Sequence, residues 1–379
     1  MHNPLPQEPA ALFIVPGDIR RQTGGSLYNR KLAERLSERG LRLEMITVPD
    51  LPYLAGLIAG VIIAPCLLLR LARRNYDVVV EDGWAHPTTL LFNLACRLTG
   101  GVRLVIIVHQ VRWRATKPPV RFIVRMVEQV ALRCAHLIVA VSHFIAGEVE
   151  GLVGKSERIA LGRPGSAPLP GSVWERGETE AAPLRLLFVG NCTRLKGLDH
   201  LIAALGLLGD IPLRLDVVGD VNVERQYYKR LVRQAKALGV SERITFHGAV
   251  SHDHVGNFYS RADIFAFPSL YEGFGIVLAE AMHAGLAIVA TRTGAANEIV
   301  SEGENALIVP LADSVALAGA LRRLATDAAL REDFGRRSRQ LSHSLPTWKQ
   351  TCDNVCDQIE IISRTTLGMK QMTKTTPRR

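Results

Sequence analysis

The most constraining feature of this 379-residue sequence is a repeated alternation of short apolar segments with segments of helical periodicity. In the first half the apolar segments are rich in Val, Ile and Leu; they are residues 11–15, 41–48, 76–82, 102–109 and 135–142. Strands of this composition, with helices between them, are typical of a parallel sheet covered on both faces. We therefore predict an α/β domain over residues 1–165, with its first helix at about residues 25–39.

A second series of the same kind follows a break in the pattern. Residues 166–183 are rich in Pro, Gly, Ser and charges and show no period, so we predict a linker. The second series occupies 184–347, with apolar segments at 184–190, 213–219, 243–248, 262–269, 286–291 and 305–310. Two doubly wound domains are therefore expected. Ligands of such sheets bind at the carboxyl ends of the strands, so we expect a cleft between the domains.

The C-terminal part of the chain continues beyond the second series. Residues 348–365 form a helical pattern after Pro346, and this pattern alone does not say which domain the helix contacts. Residues 366–379 are basic, and we predict that they are a disordered tail.

Composition restricts the class of protein and its partners. With 47% hydrophobic and 22% charged residues the chain is globular, and its net charge of +10 favours nucleic acid, anionic lipid or phosphorylated substrates. The six cysteines form no CxxC pair, which indicates reduced thiols and a cytosolic location. Residues 1–10 lack the pattern of a secretory signal, so none is expected.

Two acidic residues in the segment YEGFGIVLAE (271–280) point to a ligand site. Glu272 precedes a Gly-Phe-Gly turn, and Glu280 lies inside the apolar segment that follows, where an unpaired carboxylate is costly. That segment is predicted to be a helix that begins near Phe274–Gly275 and ends at Gly285. The first N–H groups of a helix and its dipole favour a phosphate or a pyrophosphate.

One carboxylate on each side of a bound diphosphate suits a nucleotide sugar. A carboxylate accepts two hydrogen bonds in one plane, which matches a vicinal diol, so Glu280 is assigned to the ribose and Glu272 to the transferred sugar. On spacing alone, two solvated or salt-bridged acids are an equally good interpretation.

The segment EGFGIVLAEA resembles the E-x7-E signature of retaining glycosyltransferases of family 4, which have the GT-B fold. Further segments that resemble this family are FPSLYEGFG, GLAIVATRTGAANEIV, ENALIVP, LLFVGNCTRLKGLDHLIAAL, LDVVGD, TGGSLYNRKLAERLSERG and AVSHFIAGEVE. The resemblance covers nearly the whole chain and is stronger in the second half. It implies two Rossmann-like domains facing a central cleft, with the acceptor on the first and the nucleotide sugar on the second. It also implies that helix 348–365 packs back on the first domain.

The resemblance assigns the donor site to particular residues. Lys196 would bind the diphosphate, with backbone contacts to the donor from Phe274, Gly275 and Ile276. This family usually has Arg directly after the glycine of the FVG strand, where this chain has Asn191, and Arg194 is expected to supply the charge instead.

In the first domain the resemblance implies a Gly-rich turn, Gly24–Gly25, that approaches the diphosphate. It also implies that His109 lies beside the reacting carbon, although a histidine at the end of a buried strand is as often structural. The basic segment with Arg112, Trp113 and Arg114 is expected to line the acceptor side or to meet anionic lipid.

These observations together predict a retaining, metal-independent hexosyltransferase with a UDP- or GDP-linked sugar as donor and no cofactor. No DxD motif occurs, which disfavours the metal-dependent class. The expected acceptor is a lipid-linked or membrane-associated glycan of a bacterial envelope. A GT-B-like sugar-nucleotide epimerase is an alternative that shares the donor site. A basic nucleic-acid-binding protein fits less well, since no binding module is recognised, and no nucleic acid is expected as a partner.

One apolar segment suggests a membrane surface as partner. Residues 51–69 carry no charge over 19 residues, and Arg70, Arg73 and Arg74 follow. A full crossing is excluded, because it would separate two strands of one sheet. A buried helix kinked at Pro65 remains possible. We favour an exposed helix that dips into an anionic bilayer through residues 51–74, which would make the protein peripheral on the inner face of the cytoplasmic membrane.

Overall fold

The structure is a computed structural model that describes residues 10–21, 23–74, 76–172 and 183–375, without the side chains of His252 and residues 364–375. The chain divides into two compact units. The first consists of Met1–Gly165 and Trp348–Arg379, and the second is Ser166–Thr347.

The first unit is a six-stranded sheet with helices between the strands. In chain order it contains β1 (Ala10–Pro16), α1 (Gly24–Glu38), β2 (Arg42–Val48), α2 (Tyr53–Arg73), β3 (Val78–Asp82), α3 (His86–Thr99), β4 (Arg103–Val108), α4 (Arg112–Ala115), α5 (Arg121–Cys134), β5 (Leu137–Ala140), α6 (His143–Val153) and β6 (Ile159–Leu161). The strands are parallel in the order β2-β1-β3-β4-β5-β6. The order reverses at β1, so a switch point, where successive connections leave in opposite directions, lies between the carboxyl ends of β1 and β3.

The second unit repeats this architecture with its own six-stranded sheet. It contains β7 (Leu184–Val189), α7 (Leu198–Gly206), β8 (Leu213–Val218), α8 (Arg225–Ala237), β9 (Ile244–Gly248), α9 (His252–Arg261), β10 (Ile264–Phe267), α10 (Ile276–His283), β11 (Ala287–Thr291), α11 (Ala296–Ile299), β12 (Ala306–Val309), α12 (Ser314–Thr326) and α13 (Ala328–Ser342). The parallel order is β12-β11-β10-β7-β8-β9, which places the switch point between β7 and β10.

Burial on both faces explains why the strands are continuous apolar runs rather than alternating ones. In β1, Leu12, Phe13 and Ile14 are all fully buried, and Ile14 is paired with Ile46 of β2 on one side and with Glu81 of β3 on the other. Glu81 is also fully buried; its carboxylate accepts hydrogen bonds from Thr89 and Asn93 of α3, and burial raises its pKa to about 7. The two predicted α/β domains are therefore both present.

The C-terminal helix α14 (Trp348–Thr375) belongs to the first unit and packs against α1. Arg35 of α1 forms an ion pair of 2.7 Å with Asp353, and Arg39 forms pairs with Asp357 and Glu360. On the inner side of α14, Cys352, Val355, Cys356 and Ile359 are buried.

The prediction of a disordered tail from residue 366 is wrong for residues 366–375, which are helical. These ten residues contain one glycine and no proline, so no proline interrupts the helix up to Thr375. Residues 376–379 lie outside the described part of the chain.

The predicted linker at 166–183 is also wrong at its beginning, because residues 166–172 are part of the second unit. Ser166 donates its backbone N–H to the carbonyl of Pro346 at 2.8 Å, and Leu169 and Ser172 are buried. The rest of the predicted linker, residues 173–182, and the N-terminal residues 1–9 are not among the described residues.

Helix α2 has two different sides. Its inner side consists of Gly56, Gly60, Ala64 and Leu67. A Cβ at Gly60 would lie 2.8 Å from the carbonyl oxygen of Thr88 in α3, and one at Gly56 would lie 3.1 Å from Cβ of Pro87. Its outer side is exposed, and α2 is, among the described residues, the one helix long and apolar enough to cross a membrane. Helix α2 is therefore buried on one side and exposed on the other, and its contact with a bilayer stays a prediction.

Candidate active site

Two loops of the second unit meet at its switch point. The loop after β7 contains a 3₁₀ turn, Arg194–Lys196, that ends at Gly197 with φ of +64°. A Cβ at Gly197 would lie 2.1 Å from the carbonyl oxygen of Pro268, in the loop after β10, so only glycine permits this approach. The N–H of Leu270 donates to the carbonyl of Leu195 at 2.7 Å. The backbone thus joins the two loops directly.

This joining brings Lys196 and Glu272 together. The ammonium group of Lys196 and the carboxylate of Glu272 form an ion pair, although the two residues lie 76 positions apart in the sequence. Glu272 is 8% exposed, and the side chain of Lys196 is 25% exposed. A pair this close to the surface at a switch point can open to receive an anion on the lysine and hydroxyl groups on the carboxylate.

Helix α10 begins directly after this pair. Gly275 caps it with φ of +98°, and a Cβ there would lie 3.3 Å from both Leu278 and Phe267. The predicted helix start near Phe274–Gly275 is close to the observed first residue, Ile276. Because the first N–H groups of a helix have no acceptor within it, this end carries partial positive charge next to Lys196.

Glu280 lies in the second turn of α10 and bonds to a tyrosine that the sequence did not single out. Its Oε2 accepts a hydrogen bond of 2.8 Å from the hydroxyl of Tyr259, which is fully buried in α9. Burial raises the pKa of Glu280 to about 7. Its carboxylate is therefore partly protonated at neutral pH, unlike an exposed acid.

Asn191 and Arg194 contact the loop after β8. The Asn191 Oδ1 accepts the N–H of Asp220 at 3.1 Å, and a Cβ at Gly219 would lie 2.1 Å from the carbonyl of Gly190. Asn191 therefore fastens the β7 and β8 loops to each other. The side chain of Arg194 is about half exposed and lies 3.7 Å from the carboxylate of Glu224. Arg194 thus adds a positive charge to this loop, but no contact among the described residues joins it to the Lys196–Glu272 pair.

At the switch point of the first unit the polar groups form a hydrogen-bond network around the Asp82 carboxylate. The Asp82 carboxylate accepts a hydrogen bond of 2.6 Å from the side-chain amide of Asn29 and one of 2.8 Å from the backbone N–H of Trp84. The Asn29 Oδ1 lies 3.1 Å from Nε2 of His109, and Asp82 lies 3.6 Å from the same nitrogen. Burial lowers the pKa of His109, against the opposing effect of Asp82, so the imidazole is neutral at pH 7 and donates Nε2–H to Asn29.

The glycines Gly24 and Gly25, predicted as a Gly-rich turn that approaches the diphosphate, form the first turn of α1. The Thr23 side chain caps this helix by accepting the N–H of Ser26 at 3.1 Å, so the chain is already helical at the glycines. Gly25 nevertheless has a packing role. A Cβ there would lie 3.3 Å from the ring of His109, so the absence of a side chain lets the imidazole lie against the start of α1.

Sequence reasoning missed Asn29 and Asp82, which hold His109 in place. A signal for Asp82 was present, since the predicted strand 76–82 ends in two acids at what must be its carboxyl end. Asn29 lies on a helical face with apolar neighbours, and nothing in its spacing distinguishes it.

The residues predicted for the acceptor side hold the α4 region together. The Arg112 guanidinium lies over the rings of Tyr53 and Trp84 and donates a hydrogen bond of 2.9 Å to the backbone carbonyl of Trp84. Arg114 forms a two-pronged ion pair with Glu148.

Trp113 is in contact with three guanidinium groups, those of Arg114, Arg121 and Arg125, at 4.3, 4.8 and 5.4 Å from its ring. The carboxylate of Glu128, which is buried with a pKa raised to about 7 by burial, accepts the N–H groups of Arg112 and Trp113.

The described residues contain no group of three or more His, Cys, Asp or Glu side chains arranged to hold a metal ion. Two histidines near residue 250 have ordinary partners: His247 bonds to Asp216 at 2.7 Å, and His254 bonds to Ser251 at 2.6 Å.

Two family models match the chain, one in each unit. Residues 176–341 match the model of the glycosyl transferases group 1, and residues 30–165 match a glycosyl transferase 4-like domain. Together they span most of the sequence.

Curated relatives and solved structures are consistent with these matches. A D-inositol 3-phosphate glycosyltransferase of Arthrobacter sp. is 32% identical over 161 residues, which are 41% of this chain and 38% of that protein. The chain thus matches well under half the length of such relatives. An alpha-D-kanosaminyltransferase of Streptomyces kanamyceticus is 26% identical over 92% of both chains.

Solved structures share the fold at low sequence identity. Sucrose-phosphate synthase of Thermosynechococcus elongatus has a TM-score of 0.82 at 21% identity and covers 95% of this chain and 100% of its own. HepE of Anabaena, solved in complex with UDP-glucose, has a TM-score of 0.75 at 17% identity, over 93% of this chain and 99% of its own. With a family model on each of its two Rossmann-like units, the chain belongs to the family-4-like glycosyltransferases of the GT-B fold.

Proposed function

We propose that the protein transfers a sugar from a nucleoside-diphosphate sugar to an acceptor hydroxyl with retention of configuration. The observation that carries this proposal is the Lys196–Glu272 ion pair, placed at the switch point between β7 and β10 and at the N-terminus of α10. A cation and a helix N-terminus together favour a diphosphate, and a carboxylate beside them favours sugar hydroxyls.

Donor binding divides the ion pair between two parts of the ligand. The ammonium of Lys196 turns to the diphosphate, and Glu272 accepts hydroxyl groups of the transferred sugar. The backbone of Phe274, Gly275 and Ile276 contacts the donor, and Glu280 accepts from the ribose. The exchange leaves Lys196 paired with an anion and Glu272 hydrogen-bonded to hydroxyl groups, so neither group is left without a partner in a partly buried site.

The chemistry needs no covalent nucleophile from the protein. The bond between the sugar and the diphosphate breaks through an oxocarbenium-like state, and the acceptor oxygen attacks the same face. Its proton passes to the departing phosphate oxygen. Lys196 and the α10 N-terminus stabilise the charge that develops on the diphosphate, so the proposed reaction requires neither metal nor cofactor.

The predictions for Gly24, Gly25 and His109 of the first unit are retained in this proposal: the glycines approach the diphosphate, and His109 lies beside the reacting carbon. The neutral, hydrogen-bonded imidazole of His109 suits that place, because it adds no charge beside a cationic transition state.

We place the acceptor among membrane-associated or lipid-linked glycans of a bacterial envelope, and the protein at the inner face of the cytoplasmic membrane. The support is the net charge of +10 and the exposed apolar outer side of α2. The names of the relatives given above do not support this acceptor class, so the proposal rests on this chain's own surface.

A donor screen tests the proposal. The melting temperature of the purified protein is measured with UDP- and GDP-linked sugars, and the true donor raises it while Lys196→Ala abolishes the rise. A screen in which no nucleotide sugar stabilises the wild type contradicts the proposed function. Release of nucleoside diphosphate that requires an added acceptor identifies a transferase, whereas release without one, together with an altered free sugar, identifies the epimerase alternative. Activity that EDTA abolishes and a divalent cation restores would rule out the metal-independent step.

A further inference from the structure

The outer side of α2 is an uninterrupted apolar stripe about five turns long. Its large exposed side chains are Leu54, Ile58, Val61, Ile62 and Leu69, and Ile58 and Ile62 are 72% and 73% exposed. No charged residue occurs on this side until Arg73. Such exposure of consecutive helical turns is unusual for a helix that covers a sheet, because its outer side is normally polar.

The same exposure continues on the two neighbouring helices. On α3 the exposed apolar residues are Leu91 and Leu98, the second 85% exposed. On α5 they are Phe122, Ile123, Met126 and Val130, with Phe122 66% exposed. Eleven of the nineteen large apolar side chains that are exposed among the described residues lie on α2, α3 and α5.

Topology places these helices side by side. The connections from β2 to β3, β3 to β4 and β4 to β5 all advance in one direction across the sheet, so right-handed crossovers put α2, α3 and α5 on the same face. Helix α3 packs against both α2 and α5. Their outer sides therefore form one continuous surface, which we call the three-helix surface.

The charges of this surface have one sign. The three helices contain six arginines, Arg70, Arg73, Arg97, Arg121, Arg125 and Arg133, and one acid, Glu128. Glu128 is 3% exposed and points inward to the N–H groups of α4. The charge of Arg70 is balanced by Glu44 of β2, and the other five arginines leave the surface cationic.

One end of the three-helix surface has groups suited to a phosphate headgroup. Arg121 and Arg125 flank the indole of Trp113, and the Nε1 of Trp113 and the Nε of Arg121 are buried atoms with no hydrogen-bond partner. Guanidinium groups bind phosphate oxygens in a planar, two-pronged manner, and indole rings favour the membrane–water interface. Headgroup contacts here lie directly beside the exposed Phe122.

We propose that the three-helix surface docks flat on an anionic phospholipid bilayer, with the outer side of α2 among the acyl chains and Arg121, Arg125 and Trp113 at the headgroups. This inference rests on the proposed function for its biological purpose and extends it, because it adds α3, α5 and the headgroup contacts of Arg121 and Arg125 to the predicted contact of α2. A second copy of the chain is a poorer occupant. A twofold interface would face arginines with arginines, and the surface offers no exposed acid of its three helices to compensate them.

Cys66 provides a native reporter on this surface. It is exposed on the outer side of α2, and the other five cysteines are buried, so an environment-sensitive nitrobenzoxadiazole label attaches to it selectively. The labelled full-length chain is mixed at low ionic strength with phosphatidylcholine vesicles, either pure or with about 30 mol % phosphatidylglycerol. We expect a blue-shifted, stronger emission and flotation with the anionic vesicles only.

Substitutions separate the apolar and the charged contributions. The triple variant Ile58→Ser, Ile62→Ser, Phe122→Ser is expected to lower vesicle partitioning at least about tenfold, because three apolar side chains no longer transfer to lipid. Arg121→Gln with Arg125→Gln is expected to lower it about tenfold at low salt and less at high salt. The matched control Val223→Ser, Leu311→Ser, Val315→Ser removes three exposed apolar side chains of the second unit and is expected to change partitioning less than about twofold.

Several results would overturn the docking proposal. Wild type that does not float with anionic vesicles contradicts it, and so does wild type that floats while the Cys66 label and the triple variant show no change. Light scattering that finds a dimer in wild type and a monomer in the triple variant, without vesicle binding, assigns the surface to a second copy. The donor-induced rise in melting temperature is measured on the same samples. If it persists while docking fails, only the docking proposal falls; if it is absent while docking succeeds, only the proposed function falls.

Discussion

The two units have the same architecture but different chemistry at the same topological place. At the switch point of the second unit, Lys196 and Glu272 form an ion pair beside a helix N-terminus. At the switch point of the first unit, His109 and Asn29 form a hydrogen-bond network around Asp82, and no cation is part of it among the described contacts. The fold thus supplies the location in both cases, and the side chains decide whether it suits a diphosphate or a neutral contact.

The outer helices differ in a parallel way. Helix α8 of the second unit, RQYYKRLVRQAKA, buries Tyr227, Leu231 and Ala235 and exposes mainly charged residues, as expected for a helix that covers a sheet in water. Helix α2 of the first unit buries Gly56, Gly60, Ala64 and Leu67 and exposes five of its large apolar residues. The outer helices of the two units therefore meet different surroundings.

If the two switch points have different functions, substitutions in them should change different properties of the enzyme, either its turnover or its affinity for the nucleoside diphosphate.

The largest effect is expected for Glu272→Gln. The variant loses the carboxylate that accepts hydroxyl groups of the transferred sugar, and turnover should fall by a factor of about 100 or more. Affinity for the bare nucleoside diphosphate should not weaken, because Lys196 is released from its ion pair. Turnover is measured as acceptor-dependent diphosphate release, and affinity by calorimetry.

The surface variant Glu242→Gln serves as the control for Glu272→Gln. If Glu272→Gln keeps wild-type turnover, the carboxylate does not contact the transferred sugar. If turnover is lost because the variant unfolds, the carboxylate has a structural role only.

The next effect concerns affinity in the second unit. Lys196→Ala should weaken binding of the nucleoside diphosphate by about ten- to a hundredfold, since one charge-assisted contact is lost. Lys236→Ala, at an exposed position of α8, is the matched control. Arg194→Ala should have a smaller effect, because its side chain faces Glu224. Calorimetry that finds Lys196→Ala and Lys236→Ala indistinguishable would remove the lysine from the site.

A substitution in the first unit should change turnover without changing diphosphate affinity. Asp82→Asn keeps an acceptor for the N–H of Trp84 but removes the charge next to His109, and we expect turnover to fall by about tenfold.

The pH dependence of turnover tests the same network in a second way, because a purely structural role of Asp82 would not shift the pH–rate profile. Asp82 raises the pKa of His109 against the effect of burial, so its removal lowers that pKa further. The acid limb of the profile, where His109 becomes protonated, should then move to lower pH. An unmoved limb, or an equal loss in the surface variant Glu157→Gln, would argue against the network as the means of positioning His109.

The smallest effect is expected for Glu280→Gln and depends on pH. The carboxylate, with a pKa of about 7, becomes ionised between pH 6 and 8, and the ionised form is the better acceptor for ribose hydroxyls. From pH 6 to pH 8 the affinity of wild type for the nucleoside diphosphate should therefore rise. The rise should exceed that of the variant by a factor of up to about ten, because the amide of the variant does not titrate. Calorimetry at several pH values tests this, and identical slopes would exclude Glu280 from the ribose contact.

The same group predicts the sign of a stability effect. Since the folded-state pKa of Glu280 is raised above its ordinary value of 4.5, its contribution to stability is complete below pH 4.5 and is lost as pH rises through about 7. The free energy of unfolding of Glu280→Gln minus that of wild type should thus be larger at pH 8 than at pH 5, as measured by denaturant unfolding.

Much of the fold and the position of the donor site could be predicted from the sequence. Buried parallel strands are continuous runs of Val, Ile and Leu, so eleven of the twelve strands were predicted; β6, with three residues, is too short to show a pattern. The charged loops after β7 and β10 were also predictable, because the carboxyl ends of parallel strands lie at one edge of their sheet.

Only the tertiary structure decided which groups pair and which sides of a helix are covered. The hydrogen bonds of Lys196 with Glu272 and of Asn29 with Asp82 and His109 join residues that lie 53 to 80 positions apart, and the spacing of such residues carries no information on their distance. Helix α2 illustrates the same limit. Its composition specifies an apolar helix, but its buried side was decided by the close approach of α3 at Gly56 and Gly60, which left the larger side chains outside. Local sequence therefore determined the periodicity and the chemistry of each element, whereas contacts between elements determined what that chemistry faces.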